Sequence, residues 1–207
     1  MADQHGACAS GVKSEKEFKQ ALVSHGLTVL KKDDDFYRYY ENFNFSKEQI
    51  RSIYENCMQL TWDKSDKFAD LLNGRTVNGK YKKFQPDGYI PELDTRIELK
   101  YSEKNGTTQE KVFYDLMKIK EGFYSDKKLI YILFGPAAEQ QATYELFKNY
   151  VEELDPTGDK VKVFLSSTLD DSIEYILNLV DANKKLLEDA ILALALNNNI
   201  SQGECNV

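Results

Sequence analysis

The stretch Pro86-Asp87-Gly88-Tyr89-Ile90-Pro91-Glu92-Leu93-Asp94-Thr95-Arg96-Ile97-Glu98-Leu99-Lys100-Tyr101 decides the fold. Residues 81–89 and 95–101 are rich in β-formers, and Pro91 to Asp94 between them has turn composition and a length suited to a hairpin. Two antiparallel strands are expected. Successive side chains leave a strand on opposite faces, so Glu98 and Lys100 share one face while Leu99 points into the core. With the chain reversing at Pro91 to Asp94, Asp87 comes level with Glu98, and the two carboxylates fall within reach of a common cation.

Working outward, a polar loop from Ser102 to Gly106 precedes a helical stretch, Thr107 to Gly122, and the apolar strand Leu129 to Phe134. A helix over about Glu139 to Leu154, a strand at Val161 to Leu165 and helical segments from Asp170 to Leu196 complete this half. On the N-terminal side, Ser14 and Glu17 have capping-box spacing and open a helix through Phe18, Ala21, Leu22 and His25 that Gly26 ends. Leu27 to Leu30 reads as a short strand, and Asp33 to Phe45 shows neither period and is left unassigned. Ser46 with Gln49 caps a further helix carrying Ile50, Ile53, Tyr54, Cys57 and Leu60, and a short helix is expected around Lys64 to Leu72. Asn73-Gly74 and Asn78-Gly79 are turn signals.

This order of elements implies an α/β fold, a mixed β-sheet flanked by helices. At 207 residues and 42% hydrophobic, one domain is expected over residues 13–199, with a disordered N-terminus at 1–12 and a flexible tail at 200–207. No repeat or low-complexity linker divides it. The longest apolar run falls far short of the roughly 18 to 20 residues of a membrane span, and residues 1–12 lack the apolar segment of a secretory signal. Three cysteines without metal-ligand spacing suit a reducing cytoplasm, and two histidines make a zinc centre a poor expectation. Any metal would be held by oxygen. The formal charge of −7 excludes a protein that coats nucleic acid over its whole surface but leaves room for a local basic groove.

Two carboxylates and a backbone carbonyl, that of Leu99, meet the preference of a hard divalent cation such as Mg²⁺ for oxygen ligands. A lysine beside them serves phosphodiester hydrolysis, where a water must be activated and negative charge develops on the phosphate. The bland alternative is a solvated strand face, because one Asp, one Glu and one Lys on a hairpin are commonplace. Basic residues gather around the motif: Arg75, Lys80, Lys82 and Lys83 before it, Lys104 and Lys111 after it. Together with the Thr107 and Thr108 hydroxyls, Lys82, Lys83, Lys104 and Lys111 are the expected phosphate contacts to a duplex.

At Pro86-Asp87, at Ile97-Glu98-Leu99-Lys100-Tyr101, and at the Gly106-Thr107-Thr108-Gln109-Glu110-Lys111 stretch, the chain resembles the PD-(D/E)xK nucleases and, more narrowly, the type II restriction endonucleases. The likeness covers residues 80–135 by motif and the rest through element order. It implies a restriction-endonuclease-like fold in which Asp87, Glu98 and Lys100 are catalytic. Asp87, Glu98 and Leu99 would hold Mg²⁺, for which Mn²⁺ can substitute, and Lys100 would orient or activate the attacking water. It further implies sequence-specific cleavage of double-stranded DNA by a homodimer; the apolar run Ile191 to Leu196 suits either that interface or the chain's own core. Family members commonly add an acid from an N-terminal helix, for which Glu17 and Glu55 are the candidates. The rivals are a repair or junction nuclease, a viral RNA endonuclease that would use His25, and a catalytically silent DNA-binding module.

Overall fold

The apolar run Leu129 to Phe134 lies in the interior of the sheet. The computed structural model describes residues 6–59, 85–103, 108–122, 124 and 126–203, with side chains outside 6–12, 108–110 and 191–203. Four strands, β1 (Gly88–Ile90), β2 (Thr95–Tyr101), β3 (Lys128–Phe134) and β4 (Val161–Ser166), form one sheet in that order. The β1–β2 pair is antiparallel, with Gly88 opposite Ile97, whereas β2–β3 and β3–β4 are parallel. Parallel neighbours require crossovers, which are α4 (Thr108–Lys120) and α5 (Ala142–Leu154). The chain is therefore α/β with a mixed sheet flanked by helices, as its element order implies.

Alternation along the strands sorts two cores. Ile97, Ile130, Ile132 and Phe134 face Phe18 and Leu22 of α1 (Gly6–Ser24) and Ile176 and Val180 of α6 (Asp170–Gly203). Leu129, Tyr131, Leu133, Val161 and Val163 face Val112 of α4 and Tyr144, Phe147 and Val151 of α5. Burial on both faces explains why β3 reads as a continuous apolar run rather than an alternating one. A third cluster joins Phe36 of α2 (Asp33–Tyr40) and Ile50, Cys57 and Met58 of α3 (Lys47–Met58) to Leu30 and Tyr89.

Several sequence expectations are corrected. Ser14 does not cap α1: the helix begins at Gly6, and Ser14 is a buried interior residue. Leu27 to Leu30 is not a strand, because only Leu30 joins the sheet, through paired backbone bonds of 2.9 and 2.8 Å with Tyr89. Of the first hairpin strand expected over Tyr81 to Tyr89, residues 81–84 lie outside the described residues; among the described ones β1 spans Gly88–Ile90, and residues 85–87 precede it, where Pro86 has no N–H to donate. The unassigned acidic segment is α2. Its three aspartates occupy the first turn, where the helix dipole favours them, and Asp35 Oδ2 accepts from the backbone N–H of Lys31 and Lys32 at 3.1 and 3.0 Å. The α3 capping box is present as read, with Gln49 N donating to Ser46 Oγ and Ser46 N to Gln49 Oε1. One helix, α6, replaces the separate C-terminal segments and continues to Gly203, into the stretch read as a flexible tail. The helix expected at 64–72 and the turns at 73–79 lie outside the described residues. Among the described residues, no helix is long and apolar enough to cross a membrane.

Arg96 ties α3 to β2. Its guanidinium, fully buried, donates to the carbonyls of Asn56 (2.7 Å) and Cys57 (2.9 Å) and makes a two-pronged contact with Asp126 at 2.6 and 3.0 Å. The carbonyls at a helix C-terminus have no partner within the helix, and Arg96 supplies one for two of them. Arg96→Met is expected to destabilise the fold by about 3 kcal/mol, since it leaves those carbonyls unsatisfied. Asp126→Asn, at a carboxylate more than half exposed, should cost under about 1 kcal/mol. Urea unfolding of both variants checks the ordering, and equal losses would contradict it.

Candidate active site

The hairpin brings three residues of the motif together. Asp87 precedes β1, and its backbone N–H donates to the Ile97 carbonyl at 2.9 Å, which fixes it level with the middle of β2. Its carboxylate then reaches across: Oδ2 accepts from the Leu99 N–H at 2.9 Å. Gly88, next along the chain, lets Val29 pack closely on β1, because a Cβ there would lie 2.9 Å from Val29 Cγ1. The N–H and C=O of one residue leave a strand toward the same edge, so the Leu99 carbonyl opens on the Asp87 side. Glu98 and Lys100 project together from the other face of β2 from Leu99, and the Lys100 ammonium contacts Glu98 Oε1.

Electrostatics divide the three. Burial pushes the Glu98 carboxyl up to about 7, with Asp87 and Asp115 adding to the effect and the Lys100 charge opposing it. Asp87 is also raised, again by burial first, against the pull of Lys100 and of the Leu99 N–H. Burial alone would lower Lys100, but Glu98, Asp115 and Asp87 outweigh it and push its ammonium further above the usual range. Lys100 is thus a fixed cation, suited to charge stabilisation and orientation rather than to taking a proton.

Beneath this group lies a set of residues that the sequence reading passed over. Asp115, on the inward face of α4, is 3% exposed. Its Oδ1 accepts from Lys118 Nζ and its Oδ2 from the Tyr131 hydroxyl, both at 2.6 Å, and Oδ2 lies 3.6 Å from Lys100 Nζ. The available signal was an acid three residues after buried Val112, at a position where an amphipathic helix carries an apolar side chain.

On the other side of β2, a cleft of about 300 Å³ is lined by Asp87, Gly88, Ile97 and Leu99 together with α1 and the segment after it. Four lysines, Lys16, Lys19, Lys31 and Lys32, border it against three acids, Glu15, Asp35 and Asp87, a local balance opposite in sign to that of the whole chain. Lys31 Nζ lies 2.6 Å from Glu15 Oε2 and 3.8 Å from Asp87 Oδ1. The helix acid beside the motif is therefore Glu15, not either candidate named from sequence. Glu17 pairs with Lys13 along α1 at 3.7 Å, and Glu55 with Arg51 along α3 at 3.2 Å.

Of the expected phosphate contacts, Lys111 is exposed near the start of α4, and Thr108 opens that helix. Lys82, Lys83, Lys104 and Thr107 lie outside the described residues, as do Arg75, Lys80 and the side chains of Ile191 to Leu196. His25 lines a separate groove with Glu92 and α6.

No family model matches the chain, and no curated protein or solved structure matches it significantly. Among the described residues, no three acid, histidine or cysteine side chains converge as a metal cage. The donor set nevertheless fits a hard cation: two carboxylates whose ionisation burial opposes, that of Glu98 further opposed by the Asp87 charge, with a carbonyl on the same edge as Asp87. Lys100 answers only part of that strain, since both carboxyls remain raised beside it.

Proposed function

We propose that this chain is a Mg²⁺-dependent endonuclease of the PD-(D/E)xK type that hydrolyses phosphodiester bonds in double-stranded DNA. The observation that carries the reading is the Asp87 carboxylate seated on the Leu99 N–H, beside a Glu98 and Lys100 that project from the neighbouring strand. Asp87, Glu98 and the Leu99 carbonyl would hold the Mg²⁺. When bound, it supplies Lewis-acid charge to the scissile phosphate and lowers the pKa of a water. Asp87 is oriented by a backbone bond instead of a flexible partner, which favours a rigid ligand. Lys100 holds a proton at Nζ, and that charge would stabilise the negative charge that grows on a phosphate bound beside it. Lys16, Lys19, Lys31 and Lys32 border the cleft at Asp87 and offer phosphate contacts that follow the backbone without reading sequence.

Sequence-specific restriction by a homodimer in the cytoplasm is the finer form of this proposal. A one-site chain that cuts both strands of a palindromic site works most simply as a two-fold pair. The position of His25 in a different groove from Asp87 weighs against the RNA endonuclease alternative.

The test is incubation of the purified chain with supercoiled plasmid. Discrete fragments are expected with Mg²⁺ or Mn²⁺, and none with Ca²⁺, whose larger radius and looser coordination disfavour in-line geometry. Random nicking would point to a repair or structure-directed nuclease instead of a restriction enzyme. Cutting that persists in a chelator would remove the metal, and no cutting with any of these ions would leave a silent binding module.

A further inference from the structure

Resting on that reading, we propose that Asp115 is a positioning residue for Lys100, holding its ammonium at the edge of Glu98 by attraction from the α4 side. Lys100 has a flexible four-carbon stem, and an ammonium exerts no directional preference of its own. Its place must be set by what surrounds it. Three groups do so: Glu98 Oε1 in direct contact, Asp115 Oδ2 at 3.6 Å, and the Tyr131 ring, whose centroid lies 5.7 Å from Nζ. Glu98 cannot be the lasting partner, because the proposed reaction requires its carboxylate for the metal. Once Glu98 is engaged elsewhere, Asp115 is, among the described residues, the remaining anion in contact with Lys100.

Asp115 is built for that role. Lys118 Nζ and the Tyr131 hydroxyl each bond one of its oxygens at 2.6 Å, which leaves the carboxylate little freedom to turn. Tyr131 sits on β3 directly opposite Glu98 in the sheet register, so Asp115 is referenced to the strand beside the one that carries Glu98 and Lys100. Lys118 offsets part of the charge of a carboxylate that is otherwise almost wholly out of water. A carboxylate meant only to hold α4 to the sheet would be satisfied by Lys118 and Tyr131. Its approach to Lys100 adds a link to the candidate site that such a structural role does not need.

Asp115→Asn keeps the shape and removes the attraction. Its effect is expected in kcat, down about 10- to 100-fold, the usual scale for a supporting contact. KM for DNA and the Mg²⁺ concentration for half-maximal rate should be unchanged, and Asp115→Glu should recover part of the loss. Because Lys118 is left without its carboxylate in Asp115→Asn, the paired variant Asp115→Asn with Lys118→Met serves if the single one folds poorly.

A second readout does not depend on cleavage. In ¹H–¹⁵N spectra of the lysine ammonium groups, with Lys100→Met giving the assignment, the parent should show a slowly exchanging Lys100 signal that Asp115→Asn broadens or shifts. Loss of that order together with the fall in kcat supports the proposal. An unchanged Lys100 signal, or cleavage at the parent rate, overturns it. If the parent chain cuts no DNA while Asp115→Asn still releases Lys100, the positioning stands and the nuclease reading falls.

Discussion

Glu98→Gln is expected to lower DNA cleavage about 10³-fold or more at saturating Mg²⁺, with the circular dichroism spectrum unchanged. Removing a ligand costs metal affinity and transition-state charge stabilisation together, an effect of several kcal/mol. The substitution is close to isosteric, so β2 should remain intact. Its stability effect has a definite sign. The Glu98 carboxyl is pushed up to about 7 from an ordinary value of 4.5, so between those values the folded chain binds more protons than the unfolded one. Stability of the metal-free parent should therefore fall as pH rises from about 4.5 to about 7. Glutamine carries no charge to bury, so Glu98→Gln should be the more stable protein at pH 8 and lose that advantage below pH 4.5. Metal must displace the Glu98 proton, so Mg²⁺ affinity of the parent should rise through pH 7. Thermal unfolding at the two pH values, with and without Mg²⁺, reads all three effects. Cleavage near the parent rate in Glu98→Gln would end the site assignment.

The sheet and the motif were legible because each rests on a period that burial enforces. Leu129 to Phe134 is apolar throughout because both its faces are covered, and Ile97, Leu99 and Tyr101 alternate with Glu98 and Lys100 because β2 has one face on the apolar α1 side and one toward α4. What escaped lies where local pattern and tertiary role diverge. Residues 33–40 pack through aromatics that also carry polar hydroxyls, with Phe36 the one fully buried there and Tyr37, Tyr39 and Tyr40 only partly so, and three leading aspartates mask the helical spacing of α2. Asp115 occupies a position where the helical pattern asks for an apolar residue, and Arg96 shares the polar phase of Glu98 and Lys100 yet is fully buried; only their partners on other elements explain them. Glu15 belongs to the cleft because the chain doubles back to place Lys31 between it and Asp87. Nothing in the spacing of 15, 31 and 87 reports that contact. Glu17, two residues along α1 and facing another way, shows how little a helical acid says about its direction until the buried stripe is fixed.

Lys100→Ala is expected to slow cleavage by about 10² to 10³, or about 3 to 4 kcal/mol, the scale for one preorganised charge or donor at a site of developing negative charge. Its other effects should differ from those of Glu98→Gln. The Lys100 ammonium contacts Glu98 Oε1, the atom that a bound cation would also need, so the two compete for one carboxylate. Removing the competitor should leave Mg²⁺ affinity equal or tighter, whereas Glu98→Gln weakens it. DNA binding should persist, since the four cleft lysines on the other side of β2 are untouched. Lys100→Met, which keeps an unbranched apolar side chain in place of the stem, should be as slow as Lys100→Ala and separates lost charge from lost packing. Lys100→Arg retains charge, yet its planar fork is wider than an ammonium held between Glu98 and Asp115, so rescue should be poor. Single-turnover cleavage and Mg²⁺ titration on the three variants give the result. If all three cut as fast as the parent, Lys100 is a structural partner of two buried carboxylates. The resemblance of its motif to a nuclease site would then be an accident of charge on a strand.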